Sequence, residues 1–260
     1  MMKKIVFLLV GFLLMTASTT PGQETAFEDG EWFRFRMRYG LLTAGYANLE
    51  VKDTQLNGKK TFHLKGFGET TGPVGWVFKV EDHYESYIDK DTNLPYRFIR
   101  KIDEGGHTKD KVIDFDQDSH QAHVFDKKHG KKTTVTTAED VHDMISSFYY
   151  LRNSINTKDL KIGDETELDM FFDEETFKFK LKYLGRDVIK TPFGRVAAVK
   201  FRPYVQAGRV FKEKESLTIW ISDDKNKIPL LVKADLAVGS LKAELDAYKG
   251  LKHPFPIIID

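Results

Sequence analysis

Few residues in this chain have the types and spacing to do chemistry, and each group falls short of a complete motif. Asp114-Phe-Asp116-Gln-Asp118 opens like a calcium loop, with carboxylates at alternate positions. Such a loop turns on a glycine at its sixth position and closes on a bidentate glutamate at its twelfth. Ser119 and Phe125 stand there, so the segment reads as a polar turn. His120, His123 and His129 are close in sequence, but strand residues three apart point to opposite faces, and zinc needs three or four convergent ligands. The Gly66-x-Gly68 pair lacks the third glycine of a dinucleotide loop, where Thr71 stands, and no βαβ unit surrounds it. No serine sits in a Gly-x-Ser-x-Gly elbow. The acidic pairs Glu174-Glu175 and Asp223-Asp224 fall in turns or at strand ends. With no cysteine in the chain, disulfides, thiolate metal sites and a cysteine nucleophile are excluded. These residues lead us to expect a non-enzymatic protein with no cofactor and no metal site.

Ligand contact is the other chemistry available. In Gly66–Phe78, four glycines and a proline precede a bulky cluster, either a loop or a single helical turn. Val74, Trp76 and Phe78 there could contact a ligand from a flexible segment, or plug one end of a sheet as core. Two basic ladders, Arg34/Arg36/Arg38 and Lys178/Lys180/Lys182, alternate with apolar residues. They could meet acidic polymers or lipid headgroups, or serve as solvated faces that discourage edge pairing.

The elements that must position these residues are mostly strands. Phe33, Phe35, Met37 and Tyr39 alternate with the first ladder, a period of two. Asn57-Gly58 and Gly105-Gly106 mark hairpins. About a dozen short strands follow one another, among them Val80–Ile88, Phe177–Leu184, Val196–Phe201 and Leu236–Leu245. One stretch differs. Residues 138–153 read as an amphipathic helix, with Thr137 as N-cap and Glu139 and Asp140 in the first turn. Val141, Met144, Ile145, Phe148 and Leu151 make its apolar stripe, flanked by Tyr149 and Tyr150. Such a helix must lay its stripe on a sheet. The expected fold is mainly β: a broad, strongly curved antiparallel sheet or incomplete barrel, with the helix on its concave side.

Residues 1–22 have the layout of a signal peptide: a basic start, the apolar run Ile5–Met15, and a small, polar tail ending at Gly22. The run is too short to span a bilayer, which takes about 20 residues. The expected product is one β-rich domain over residues 23–260, exported to the periplasm or outside the cell. It has no transmembrane segment and no cysteine for a lipid anchor. The chain carries 40 basic and 39 acidic residues, and loss of Lys3 and Lys4 leaves one acidic residue in excess. That balance gives no global pull toward nucleic acid.

Several short patterns follow one another along the chain: Gly30–Tyr39 leading to Gly45, Asp82-x-x-Glu85-Ser-Tyr-Ile-Asp89, and Leu94-Pro95-x-Arg97-Phe98. Asp143–Arg152, Thr191-Pro-Phe-Gly194, Trp220-Ile-Ser-Asp-Asp224, Pro229 and Gly239 complete the series. Their order resembles the domain of unknown function family numbered 3108, found in exported bacterial proteins. The resemblance implies an envelope location and a mostly antiparallel β fold, and it brings no activity with it.

Small curved barrels often enclose a hydrophobic ligand. The functional expectation is therefore an envelope protein that holds a lipid or other apolar small molecule between helix and sheet. Val74, Trp76, Phe78, Phe148, Tyr149 and Tyr150 are the candidate contacts. A scaffold that binds protein or acidic-polymer partners is the alternative, and a hydrolase of envelope polymers is less favoured.

Overall fold

The alternation of apolar and charged residues resolves into an inside and an outside. The computed structural model describes residues 25–204, 217–236 and 239–259, and the leader expected at residues 1–22 lies outside them. The first half contains β1 (Trp32–Tyr39), β2 (Leu42–Leu56), β3 (Lys59–Thr70), α1 (Gly72–Val77), β4 (Val80–Asp89), β5 (Pro95–Glu104), β6 (His107–Asp116), β7 (Gln121–Asp126) and β8 (Lys131–Thr136). After α2 (Met144–Ser154) come β9 (Glu165–Phe172), β10 (Glu175–Thr191), β11 (Gly194–Tyr204), β12 (Leu217–Ser222), β13 (Pro229–Asp235), β14 (Ser240–Lys249) and β15 (Ile257–Ile258).

The strands form one antiparallel sheet in the order β8-β7-β6-β5-β4-β3-β2-β1-β14-β13-β12-β11-β10-β9, with β15 added beside β11. Only one junction is not a simple meander. There β1 pairs with β14, setting Phe33 against Tyr248. The sheet curves without closing. Its two end strands, β8 and β9, are not paired, and the chain between β8 and α2 lies along β9 instead. His142 N donates to Asp169 O at 2.9 Å and Phe171 N to His142 O at 2.7 Å. The tip of the β9–β10 hairpin reaches across to β5 and β6, where Asp173 meets Arg100 at 2.7 Å and Lys109 at 3.1 Å, and Glu174 meets Lys111 at 2.6 Å.

In β1, Phe33 and Phe35 are buried while the arginines face outward. Asp246 on β14 takes both Arg34 and Arg36 at 2.7 Å, and Glu244 takes Arg38 at 3.4 Å. The lysine ladder on β10 is met from β9, with Asp169 on Lys178 at 2.6 Å and Glu167 on Lys180 at 2.5 Å. Each exposed pair is worth only about 0.2–1 kcal/mol. Their larger effect is to match the charge of adjacent strands in register.

Several boundaries differ from the sequence expectation. The strands number fifteen among the described residues, and β10 runs well past Leu184. The strand expected from Leu236 begins at Ser240 as β14, and Leu236 N donates to Gly239 O at 3.1 Å. The helix is shorter than 138–153, beginning only at Met144. Asp140 takes a φ of 50°, which breaks a helix there, and residues 141–143 are drawn into the contact with β9. Asp143 is the N-cap in place of Thr137. Its Oδ1 accepts from Ile145 N and Ser146 N, both at 2.8 Å, while Ser146 Oγ accepts from Asp143 N at 2.8 Å. Gly66–Thr70 continues β3, and the single helical turn allowed for that stretch is α1.

The helix lies on the concave side and divides the interior. Ile145 and Tyr149 pack with Phe27, Leu64, Ile88, Phe98 and Phe171. Leu151 and Ile155 join a second cluster with Leu181, Val199, Phe201 and Ile221. A third cluster, with Phe33, Phe35, Ile228, Leu230 and Leu245, closes the junction of the two halves.

Candidate functional site

A cavity of about 370 Å³ opens between α2 and the wall formed by β9–β12. Met144, Phe148, Leu151 and Ile155, spaced along one face of the helix and into its C-cap, line one side. Phe177, Phe179, Leu181, Phe201, Ile219 and Ile221 line the sheet side, and Phe172, Pro203 and Leu217 stand toward the upper strand ends. Its volume falls within the range of small-molecule sites, about 300–1,000 Å³.

The lining contains two polar side chains, Ser147 and Arg152, and both are already engaged. Ser147 Oγ donates to Met144 O at 2.9 Å. Arg152 is buried and forms a fork with buried Glu31, Nη1 to Oε1 at 2.6 Å and Nη2 to Oε2 at 2.7 Å. Its Nε and Nη2 also donate to Asn226 O at 3.0 and 2.8 Å, and Nη2 reaches Ala26 O at 3.3 Å. The guanidinium lies 5.2–5.5 Å from the ring centres of Phe27, Phe33, Phe148 and Tyr149. Breaking such a buried pair from one side leaves an uncompensated charge, a cost of about 3–5 kcal/mol. Arg152 is therefore a structural tie at the cavity's edge, its charge matched by Glu31 rather than held for a ligand. A long helix arginine commonly keeps its head in water, so the sequence held no signal that this one is buried.

The candidate contacts separate into three groups. Phe148 lines the cavity. Tyr149, one residue on, faces the other way and is fully buried between Phe27 and Phe148, with ring centres 4.8 and 5.1 Å away. Its phenol has no hydrogen-bond partner among the described residues, and burial pushes its pKa well up. Tyr150 packs beside the second cluster and against His142, at 4.5 Å. Val74, Trp76 and Phe78 are carried by α1 and its C-cap, away from the cavity, and Trp76 and Phe78 are exposed. The cavity residues on β9–β12 were missed because an inward apolar residue on a strand looks the same whether it meets a neighbour or a void.

His142, Asp143 and Asp82 are perturbed chiefly by burial, and these three lie outside the cavity lining. Burial lowers His142 to about 4. Burial raises Asp143 to about 6, against hydrogen bonds from Ser86, Ser146 and Ile145; Ser86 Oγ donates to Oδ2 at 2.6 Å. Asp82 is raised to about 6 by burial and then by the nearby charge of Glu104. The acidic triplet and the histidines serve turns and strand pairs. Asp114 holds Arg97, with Oδ1–Nε at 2.5 Å, Asp116 accepts from Ser119 N at 3.0 Å, and Asp126 meets His129 at 2.9 Å.

Fold and cavity define a β-barrel-like protein with an internal apolar site. The chain belongs to the family described as Protein of unknown function (DUF3108), whose model matches residues 34–246. Among solved structures it is similar to a β-barrel-like protein of the DUF1849 domain of unknown function from Brucella abortus. That match has a TM-score of 0.55 at 10% identity and covers 85% of this chain and 98% of that one. A DUF1089 family protein from Pseudomonas aeruginosa matches with a TM-score of 0.38 at 10% identity, over 74% of this chain and 92% of that one. No curated protein matches the sequence. Among the described residues, no helix is long and apolar enough to cross a membrane.

Proposed function

We propose that the protein binds the apolar chain of a lipid or a similar hydrophobic molecule in the cavity between α2 and β9–β12. The observation that carries this reading is the lining itself, apolar apart from two polar side chains whose hydrogen bonds are made within the protein. Such a wall rewards burial of hydrocarbon, at about 25 cal/mol per Å², and offers a polar ligand nothing to replace its lost water. The same lining favours binding over hydrolysis, because among the described residues it holds no carboxylate, histidine or cysteine, and its one hydroxyl, on Ser147, is spent on Met144 O. In this reading the protein is non-enzymatic and acts in the cell envelope, as a holder or carrier of an apolar ligand.

Native mass spectrometry of the purified full chain, followed by solvent extraction, tests the proposal, together with titration of a fluorescent fatty acid. The expected result is a co-purifying apolar molecule or saturable probe binding. Ile219→Trp, which places an indole in the void, should weaken the probe by about tenfold or more while the fold persists by circular dichroism. A ligand-free protein that takes up no apolar probe would sink the idea.

A further inference from the structure

Antiparallel pairing places the β1–β2, β3–β4 and β13–β14 connections side by side on one rim of the sheet, because β4, β3, β2, β1, β14 and β13 are consecutive neighbours. Twelve large hydrophobic side chains are exposed among the described residues, and seven of them stand on these three connections. Tyr39, Leu41 and Leu42 occupy the first, Trp76, Val77 and Phe78 the second, and Leu236 the third. Leu41 is 91% exposed, Trp76 87% and Val77 89%. The connections are held to one another. Thr71 N donates to Ala44 O at 2.9 Å, and the Tyr39 ring lies against Gly239. Phe78 is fixed as well, packed so closely on Gly105 of the β5–β6 turn that a Cβ there would lie 2.5 Å from its ring.

From this we infer that the rim is a docking surface for a lipid bilayer, with Leu41, Trp76 and Val77 as the inserting residues. The side chains project from turn tips and so suit a deformable apolar medium. An exposed apolar patch of this kind marks an interaction site, and the mix of tyrosine and tryptophan with leucine and valine is what the water–hydrocarbon boundary favours. Charge on the same rim selects the occupant. Lys127, Lys128 and Lys131 stand exposed on the β7–β8 turn, two hairpins along from the cluster. Four acids of these turns are engaged locally: Glu81 with Lys79 at 3.3 Å, Asp103 with Gly106 N at 3.1 Å, Asp126 with His129 at 2.9 Å, and Asp235 with Lys233 at 2.8 Å. Lysines beside an apolar tip complement anionic headgroups. Leu217, which lines the cavity, pairs with Ala234 near the same rim. The docking surface rests on exposure and charge, independently of whether the cavity holds a ligand.

The test uses the full chain and vesicles of phosphatidylethanolamine with phosphatidylglycerol, some carrying brominated acyl chains that quench indole fluorescence. In the wild type, brominated lipid should remove a fluorescence component that is absent from Trp76→Phe. The double variant Leu41→Ser/Trp76→Ser should bind these vesicles about a hundredfold more weakly, as expected from leaving two large apolar side chains in water. Both positions are exposed, so the fold should persist, checked by circular dichroism. Phosphatidylcholine vesicles should bind less well than the anionic ones. If Trp76 goes unquenched on protein-bearing vesicles, or the double variant binds as well as the wild type, the proposal is overturned, including where another part of the chain holds the protein to the lipid.

Discussion

The two sides of α2 show how one short helix supports both a solid core and a void. On the side toward β3–β6, Ile145 and Tyr149 meet large rings from several elements. On the side toward β9–β12, Met144, Phe148 and Leu151 face a wall of equally apolar residues across about 370 Å³. Composition does not separate the two sides. What differs is backbone reach: Phe27, from the chain ahead of β1, fills the first side, packing its ring at 5.3 Å from Phe62 and 4.8 Å from Tyr149. No corresponding side chain among the described residues fills the second.

Adjacent substitutions test that contrast most sharply. Tyr149→Ala should cost about 3–5 kcal/mol, the range for a large buried aromatic side chain. Phe148→Ala enlarges an existing void and should cost only about 1–2 kcal/mol. Equal losses in urea denaturation would mean that the two sides are packed alike.

Acid provides the next largest effect. With His142 lowered to about 4 in the folded protein and 6.5 as its ordinary value, the unfolded chain gains a proton first as pH falls. Stability present above 6.5 is lost toward pH 4, by roughly 3 kcal/mol. Asp143, raised to about 6, works the other way, since the folded form takes up its proton first and gains stability as pH falls through that window. The measurement is therefore a difference. Relative to His142→Gln, the wild type should weaken by roughly 3 kcal/mol between pH 7 and pH 4, and a constant difference would place the imidazole in water.

The smallest effect has the opposite sign. Tyr149→Phe removes a buried hydroxyl that has no partner and should stabilise the protein by about 1 kcal/mol. Destabilisation on that substitution would reveal a bond to the phenol.

Much of the architecture was legible because strands announce themselves. The alternation in β1 and the turn pairs Asn57-Gly58 and Gly105-Gly106 fall where expected, as does the single helix that packs on both halves. The helix start was misjudged because Thr137 and Asp143 are both sound caps by residue type. Only the contact of His142 with β9, a tertiary event, decides between them. Similarly, Tyr149 and Tyr150 flank the apolar stripe in the sequence, yet their burial depends on which half of the sheet packs on each side. The space between helix and sheet was named as the place for a ligand, but whether it is open or filled was not legible. Of the residues named for it, Phe148 alone is in the lining, since a void leaves no mark on the residues around it.

The fork between Arg152 and Glu31 also bears on the order in which the chain acquires its shape. It joins residues 121 positions apart, and Asn226, its third member, lies 74 positions beyond Arg152. The strand that follows Glu31 finds β2 at once, but its other partner, β14, brings Asp246 to Arg34 only 212 positions later. A chain made from its N-terminus holds an unpaired carboxylate until Arg152 is made, and one open strand edge until synthesis is nearly complete. Pairings of such long range are slow to form, on the scale of milliseconds to seconds. During that interval the bare edge of β1 is a template for another chain. The arginines along its outer face, not yet neutralised by Glu244 and Asp246, supply the repulsion that keeps two nascent copies apart.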